Sequence, residues 1–181
     1  MTKRFSIVAL LALVTVALGA VTVLAAGSGP AYLQVSSWSA ALQNDNLAKL
    51  TVTSRGDIPR QPDAFVGSNP VVGLAWADLG TGKVFATTIH PVLGRDSHQN
   101  PDSWHGHTAT LSGGATPPND FCVVSIDSTP TAGIQIHGNT MTVNVRADRL
   151  PVAPSAFDAA VGFTIQADSA CASGLAVRTV A

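Results

Sequence analysis

From Val71 onward, short runs that alternate apolar and polar residues are separated by clusters of Gly, Pro, Asn and Asp. A period of two broken by such residues predicts strands joined by turns. The clearest case is Ile134–His137 and Thr140–Arg146 flanking Gly138-Asn139, a two-residue connection suited to a tight hairpin. Pairing His137 with Thr140 sets Ile136 opposite Met141 and Ile134 opposite Val143, which gathers the apolar side chains on one face and leaves Gln135, Thr142 and Asn144 on the other. Val71–Asp78 is apolar on both pleat faces, the pattern of a strand covered from both sides, and Leu79–Gly82 turns it into Lys83–Val92. Further strands are predicted over Leu50–Thr53, Trp104–Leu111, Phe121–Asp127, Ala159–Ala167 (Val161, Phe163 and Ile165 inward) and Leu175–Val180. Ala31–Leu50 reads two ways: Tyr32–Val35 suits a strand, whereas Ser39–Leu50 carries some helical spacing and is the one place for a short helix.

About eight or nine short strands without a sustained amphipathic helix define an all-β class. The expected architecture is an antiparallel β-sandwich, Ig-like or jelly-roll-like, with a closed β-barrel as the alternative. No tryptophan lies between Cys122 and Cys171, which argues against an antibody-type domain.

The N-terminus follows a different pattern. Lys3 and Arg4 precede an uncharged run, Phe5–Ala26, and then Gly27-Ser28-Gly29-Pro30. This is the layout of a secretory signal, with cleavage after Ala25 or Ala26, and the run is also long enough for residues 5–26 to serve as a membrane anchor. The expected division is therefore residues 1–26 as signal peptide or anchor and 27–181 as a single domain. Its place is secreted or otherwise outside the cytoplasmic membrane. In such an oxidising compartment the only two cysteines, Cys122 and Cys171, are expected to form a disulfide.

Composition narrows the functions. All eleven acidic residues are aspartate, and Lys3 and Arg4 belong to the leader, so eight basic side chains remain after it. A mildly acidic domain with no basic stripe excludes nucleic acid as a partner. Contact with membrane is expected only through the N-terminal segment. No Gly-x-Ser-x-Gly, His-Glu-x-x-His or Gly-x-x-x-x-Gly-Lys motif occurs. The aspartates, among them Asp120, Asp127, Asp158 and Asp168, fall at strand ends and turns, where that residue type shapes the backbone. On these grounds the leading expectation is an exported, disulfide-bonded module that binds an unknown surface or extracellular ligand or serves structure, without catalysis.

Two constellations offer alternatives. His105-Gly106-His107 on a strand projects both imidazoles from one face, and the glycine between them leaves room for a close neighbour. Such a pair suits zinc or copper, with a third ligand to come from His90, His137, His98, Asp96 or Asp102. The plain reading is that His105 and His107, which share their face with Ala109 and Leu111, are structural; His137, beside a hairpin turn, is expected in solvent. Trp104 adjoins the pair and suggests a pocket rim on which a sugar ring stacks, the basis of a carbohydrate-binding alternative. Trp76 belongs to the most apolar strand and is expected in the core.

Overall fold

The computed structural model describes residues 29–60, 71–90 and 103–180. These contain ten strands: β1 (Val35–Asn44), β2 (Leu47–Ser54), β3 (Val72–Asp78), β4 (Lys83–Ile89), β5 (His105–Ser112), β6 (Phe121–Ser128), β7 (Ala132–His137), β8 (Thr140–Arg146), β9 (Ala159–Ala167) and β10 (Leu175–Val180). They form a four-stranded sheet ordered β1-β2-β8-β7 and a closed six-stranded barrel ordered β10-β6-β5-β4-β3-β9, with every pairing antiparallel.

This corrects the expected sandwich. The molecule is neither Ig-like nor jelly-roll-like, because its second layer is closed on itself: β10 pairs with β6 through Ala176↔Cys122 and Val177↔Phe121, and with β9 along its whole length. The two apolar faces of β3 show why closure was needed. Val72, Leu74 and Trp76 point toward the four-stranded sheet and pack with Leu50, Val52 and Val143, whereas Ala75 and Ala77 turn into the barrel beside Val84, Ala86 and Phe163. A sandwich would cover only one of these faces. Trp76 is fully buried between the layers.

The β7–β8 hairpin has the expected register, His137↔Thr140, Ile136↔Met141 and Ile134↔Val143, with Gly138 in the left-handed region at φ 57°. The helical alternative for Ser39–Leu50 is not realised. Residues 35–54 form the β1–β2 hairpin, and the Asn44 side-chain oxygen accepts the N–H groups of Asn46 and Leu47 at its turn. Burial alternates along β2, where Ala48, Leu50, Val52 and Ser54 face inward, so sheet packing overrides the weak helical spacing.

Among the described residues no helix is long and apolar enough to cross a membrane. The signal and the anchor expected over residues 1–26 lie outside the described residues.

Cys122 and Cys171 are disulfide-bonded, with Cα atoms 5.3 Å apart. Next to the bridge, the Asp168 carboxylate accepts the Asn119 amide, the backbone N–H groups of Thr116 and Ala170 and the Thr116 hydroxyl. The Asn119 amide and the Ala170 and Thr116 N–H groups hold its pKa down from 3.8 to about 2. A folded-state value below the unfolded one means that this cluster stabilises fully above about pH 4, and that its contribution is lost as pH falls from there through about 2. Asp168→Asn is therefore expected to flatten the acid limb of stability. Denaturant midpoints followed by circular dichroism between pH 4 and pH 2 would show it, and an unchanged slope would place the acid sensitivity elsewhere.

Candidate metal centre

Strand pairing brings three histidines together inside the barrel. In β4 the side chains of Val84, Ala86 and Thr88 face the lumen, and His90, two residues on, continues that row. In β5, His105 and His107 occupy the lumen face, with His105 directly opposite Thr88 and His107 opposite Ala86. The β4–β5 register thus sets His90 beside the His105/His107 pair. All three imidazoles are buried, at 3%, 9% and 7% exposure respectively.

One ring nitrogen from each histidine lies within 4.8 Å of the other two. Tetrahedral zinc with Zn–N bonds of about 2.0–2.1 Å sets its ligand nitrogens about 3.3 Å apart, so small rotations of the rings would place an ion between them. His105 is central: its ring stands edge-on to those of His90 and His107, with centroids 4.7 Å away in both cases, while the outer two rings are inclined by only 28°.

The tautomer of His105 follows from its neighbours. Its Nδ1 lies 2.8 Å from the Ser103 carbonyl oxygen, which can only accept, so Nδ1 carries the proton and Nε2 carries a lone pair. That lone pair faces His90 Nε2 at 3.0 Å. Two imidazole nitrogens at this separation share either a proton or a metal ion. Orientation of a ligand imidazole by a backbone carbonyl at its other nitrogen is a recurrent support of metal sites. Gly106 completes the local design, since a Cβ there would stand 3.1 Å from the Phe85 ring and 3.2 Å from the Pro130 carbonyl oxygen. The glycine lets β5 bring both histidines to the lumen without a clash on its outer face.

The histidines adjoin a cavity of about 530 Å³ within the barrel, whose lining includes His90, His107, Thr88, Ala75, Ala86 and Ala109. Six strands enclose limited space, and alanine at positions where leucine or phenylalanine would fill it keeps the lumen open. Most of the lining is apolar. The carboxylate of Asp78 is engaged by its own turn, accepting the Gly80 and Thr81 N–H groups and the Thr81 hydroxyl.

Of the residues singled out in the sequence, His90, His105 and His107 converge. His137 is exposed at the β7–β8 turn. His98, Asp96 and Asp102 lie outside the described residues. Trp104 occupies the opposite pleat face from His105, 8% exposed in the core between sheet and barrel, and its indole N–H donates to the Pro59 carbonyl at 2.8 Å. It does not line the cavity, so it offers no platform there for a sugar ring. Thr88 escaped the sequence analysis, although its position two residues before His90 marks it as sharing that face.

These findings correct the functional expectation. A binding or structural module without a site for chemistry does not account for three buried, convergent imidazoles, whereas the metal-binding alternative does. Compared with protein-family models, curated proteins and solved structures, the chain matches none.

Proposed function

We propose that the protein binds one zinc or copper ion through His90, His105 and His107, with a remaining coordination position directed into the barrel cavity. The observation that carries this reading is the convergence of three buried ring nitrogens within 4.8 Å. Imidazole donors favour zinc or copper over the oxygen-seeking magnesium and calcium. Among the described residues no thiol or carboxylate joins the three. Three protein ligands with an open position distinguish catalytic zinc sites from the closed four-ligand sites that serve structure. Such an ion supplies Lewis acidity and makes a bound water far more acidic. The role of the chain is to hold the imidazoles, orient His105 through the Ser103 carbonyl, and surround the open position with apolar walls that strengthen its field. We place this centre outside the cytoplasmic membrane, a reading supported by the disulfide and by the leader pattern of residues 1–26.

Calorimetric titration of metal-stripped protein with zinc chloride, and separately with copper(II) sulfate, is expected to show one saturable equivalent per chain. Equilibrium dialysis with elemental analysis checks the stoichiometry. His137→Ala should bind as the wild type does. Absence of a saturable equivalent, or its loss on changing the exposed His137, would overturn the assignment.

A further inference from the structure

The cavity is more than the surroundings of an ion. Three of the exposed large apolar side chains, Leu79, Ile126 and Leu175, are also lining residues, at 49%, 61% and 39% exposure. Side chains that both line a cavity and meet solvent mark where it opens. The lining thus grades from an apolar, solvent-exposed lip to a buried wall that carries His90, His107 and Thr88.

Within that wall the polar groups differ in how they are engaged. The Thr179 hydroxyl donates to the Asp120 carboxylate at 2.8 Å. Thr88 Oγ1 is buried and, among the described residues, has no hydrogen-bond partner. The Thr88 side chain as a whole is 6% exposed, and Thr88 stands directly opposite His105 on the lumen face. A buried hydroxyl left unpaired costs about 1–3 kcal/mol, so a group held at the point of convergence of a site is accounted for when a ligand supplies its partner. Among the described residues no lysine or arginine lines the cavity, and the one carboxylate of that lining, Asp78, is spent on a turn. Apart from the ion proposed above, the described wall therefore holds no group that compensates a charged occupant.

We infer that the cavity is a chamber for a small, uncharged, largely apolar molecule with a single oxygen group, an alcohol or carbonyl compound, whose oxygen is held between the Thr88 hydroxyl and the metal position. The placement of the oxygen beside a metal rests on the function proposed above; the chamber and the Thr88 contact do not require the ion. A volume of about 530 Å³ falls within the range of ligand pockets, roughly 300–1,000 Å³. The body of the ligand lies against Ala75, Ala86, Ala109 and Phe163, and its size is set by those alanines. Thr88 is a binding and positioning residue, selecting oxygen-bearing ligands from hydrocarbons of the same shape.

The test uses metal-free full-length protein with its disulfide intact and N-phenyl-1-naphthylamine, a neutral apolar fluorophore whose emission rises on leaving water. One saturable site per chain is expected, with displacement by 1-octanol. Ala86→Phe combined with Ala109→Phe, verified as folded by circular dichroism and by the disulfide, should weaken probe binding at least tenfold. If overpacking unfolds that pair, Ala109→Leu alone serves, with a smaller loss expected. Thr88→Val keeps the shape and removes the hydroxyl; it should weaken competition by 1-octanol about fivefold, the worth of one hydrogen bond, while leaving the fluorophore unaffected. Probe binding that is not saturable, or is unchanged in the filled variants, overturns the chamber. Octanol competition that is indifferent to Thr88→Val overturns the assignment of the oxygen to Thr88. Because no metal is present, failure in this assay leaves the metal reading standing, and failure of metal uptake leaves the chamber to be judged by the probe.

Discussion

Alanine in place of His105 is expected to weaken zinc or copper binding by about 100-fold or more, and His105→Ala with His107→Ala to remove stoichiometric binding altogether. Structural zinc sites release about 10–16 kcal/mol through four ligands, so one ligand is worth roughly 3 kcal/mol, which is a little over 100-fold. His105 should be the most sensitive of the three. Its ring contacts both others edge-on, and its lone pair is aimed by the bond of Nδ1 to the Ser103 carbonyl. His90→Ala and His107→Ala should each cost a similar order, while His137→Ala, at an exposed turn, should cost nothing measurable. The folded state has reason to survive these changes. Each truncation enlarges a lumen that already holds a cavity, and His105→Ala also takes a partner from the Ser103 carbonyl and from His90 Nε2, a cost of about 1–3 kcal/mol that is smaller than the roughly 5–15 kcal/mol stability of a typical domain. Competition calorimetry against a chelator, with circular dichroism on each variant, reads both quantities. Wild-type affinity in a folded His105→Ala protein would sink the metal centre.

The parts of this site that the sequence made legible are those carried by local periodicity. His105 and His107 share a face because strands repeat every two residues. The same rule, applied one residue earlier, puts Trp104 on the other face, and that signal outweighs its mere adjacency to the pair. His90 was one of several candidate third ligands because its place depends on the register Ala86↔His107 and Thr88↔His105, a relation between strands separated by residues 90–104. Register between distant strands leaves no periodic trace within either one. The β7–β8 hairpin was legible for the opposite reason, since Gly138-Asn139 sets its register locally.

The fold divides in the same way. The apolar character of both faces of β3 was visible and correctly signalled cover on each side. What it could not convey was that one cover is a separate sheet and the other the far wall of the barrel to which β3 itself belongs. The alanines of that inner face, Ala75, Ala77, Ala86 and Ala109, look unremarkable in sequence, yet their small volume makes the difference between a filled barrel and a chamber. The cavity rests on residues whose small side chains leave space open, a quality that emerges only when six strands face one another.

Removing the disulfide by changing Cys122 and Cys171 to alanine is expected to lower stability by about 4 kcal/mol, from the chain-entropy cost of a loop with a sequence separation of 49. The position of the bridge gives that loss a local character. The β6–β10 seam closes the barrel with only Ala176↔Cys122 and Val177↔Phe121 in register, whereas β9–β10 pairs continuously from Leu175↔Ala167 to Val180↔Gly162. Side chains extend the short seam: the Asp120 carboxylate accepts the Thr179 N–H at 2.7 Å, and the Ser173 hydroxyl donates to the Val123 carbonyl. The covalent link sits among these contacts, with one sulfur from β6 itself and the other from the turn that leads into β10. Hydrogen exchange should therefore accelerate first at the amides of β6 and β10 when the bridge is absent, before β3, β4 and the β7–β8 hairpin respond. His105 and His107 lie on β5 and His90 just beyond β4; β5 neighbours β6, but Cys122 pairs with Ser112 at the end of β5 remote from the histidines, so metal affinity of the folded variant should stay within about tenfold of wild type. Denaturant unfolding measures the global loss and exchange mass spectrometry its location. A loss below about 1 kcal/mol, or acceleration spread evenly over all ten strands, would show that the barrel closes without the help of its disulfide.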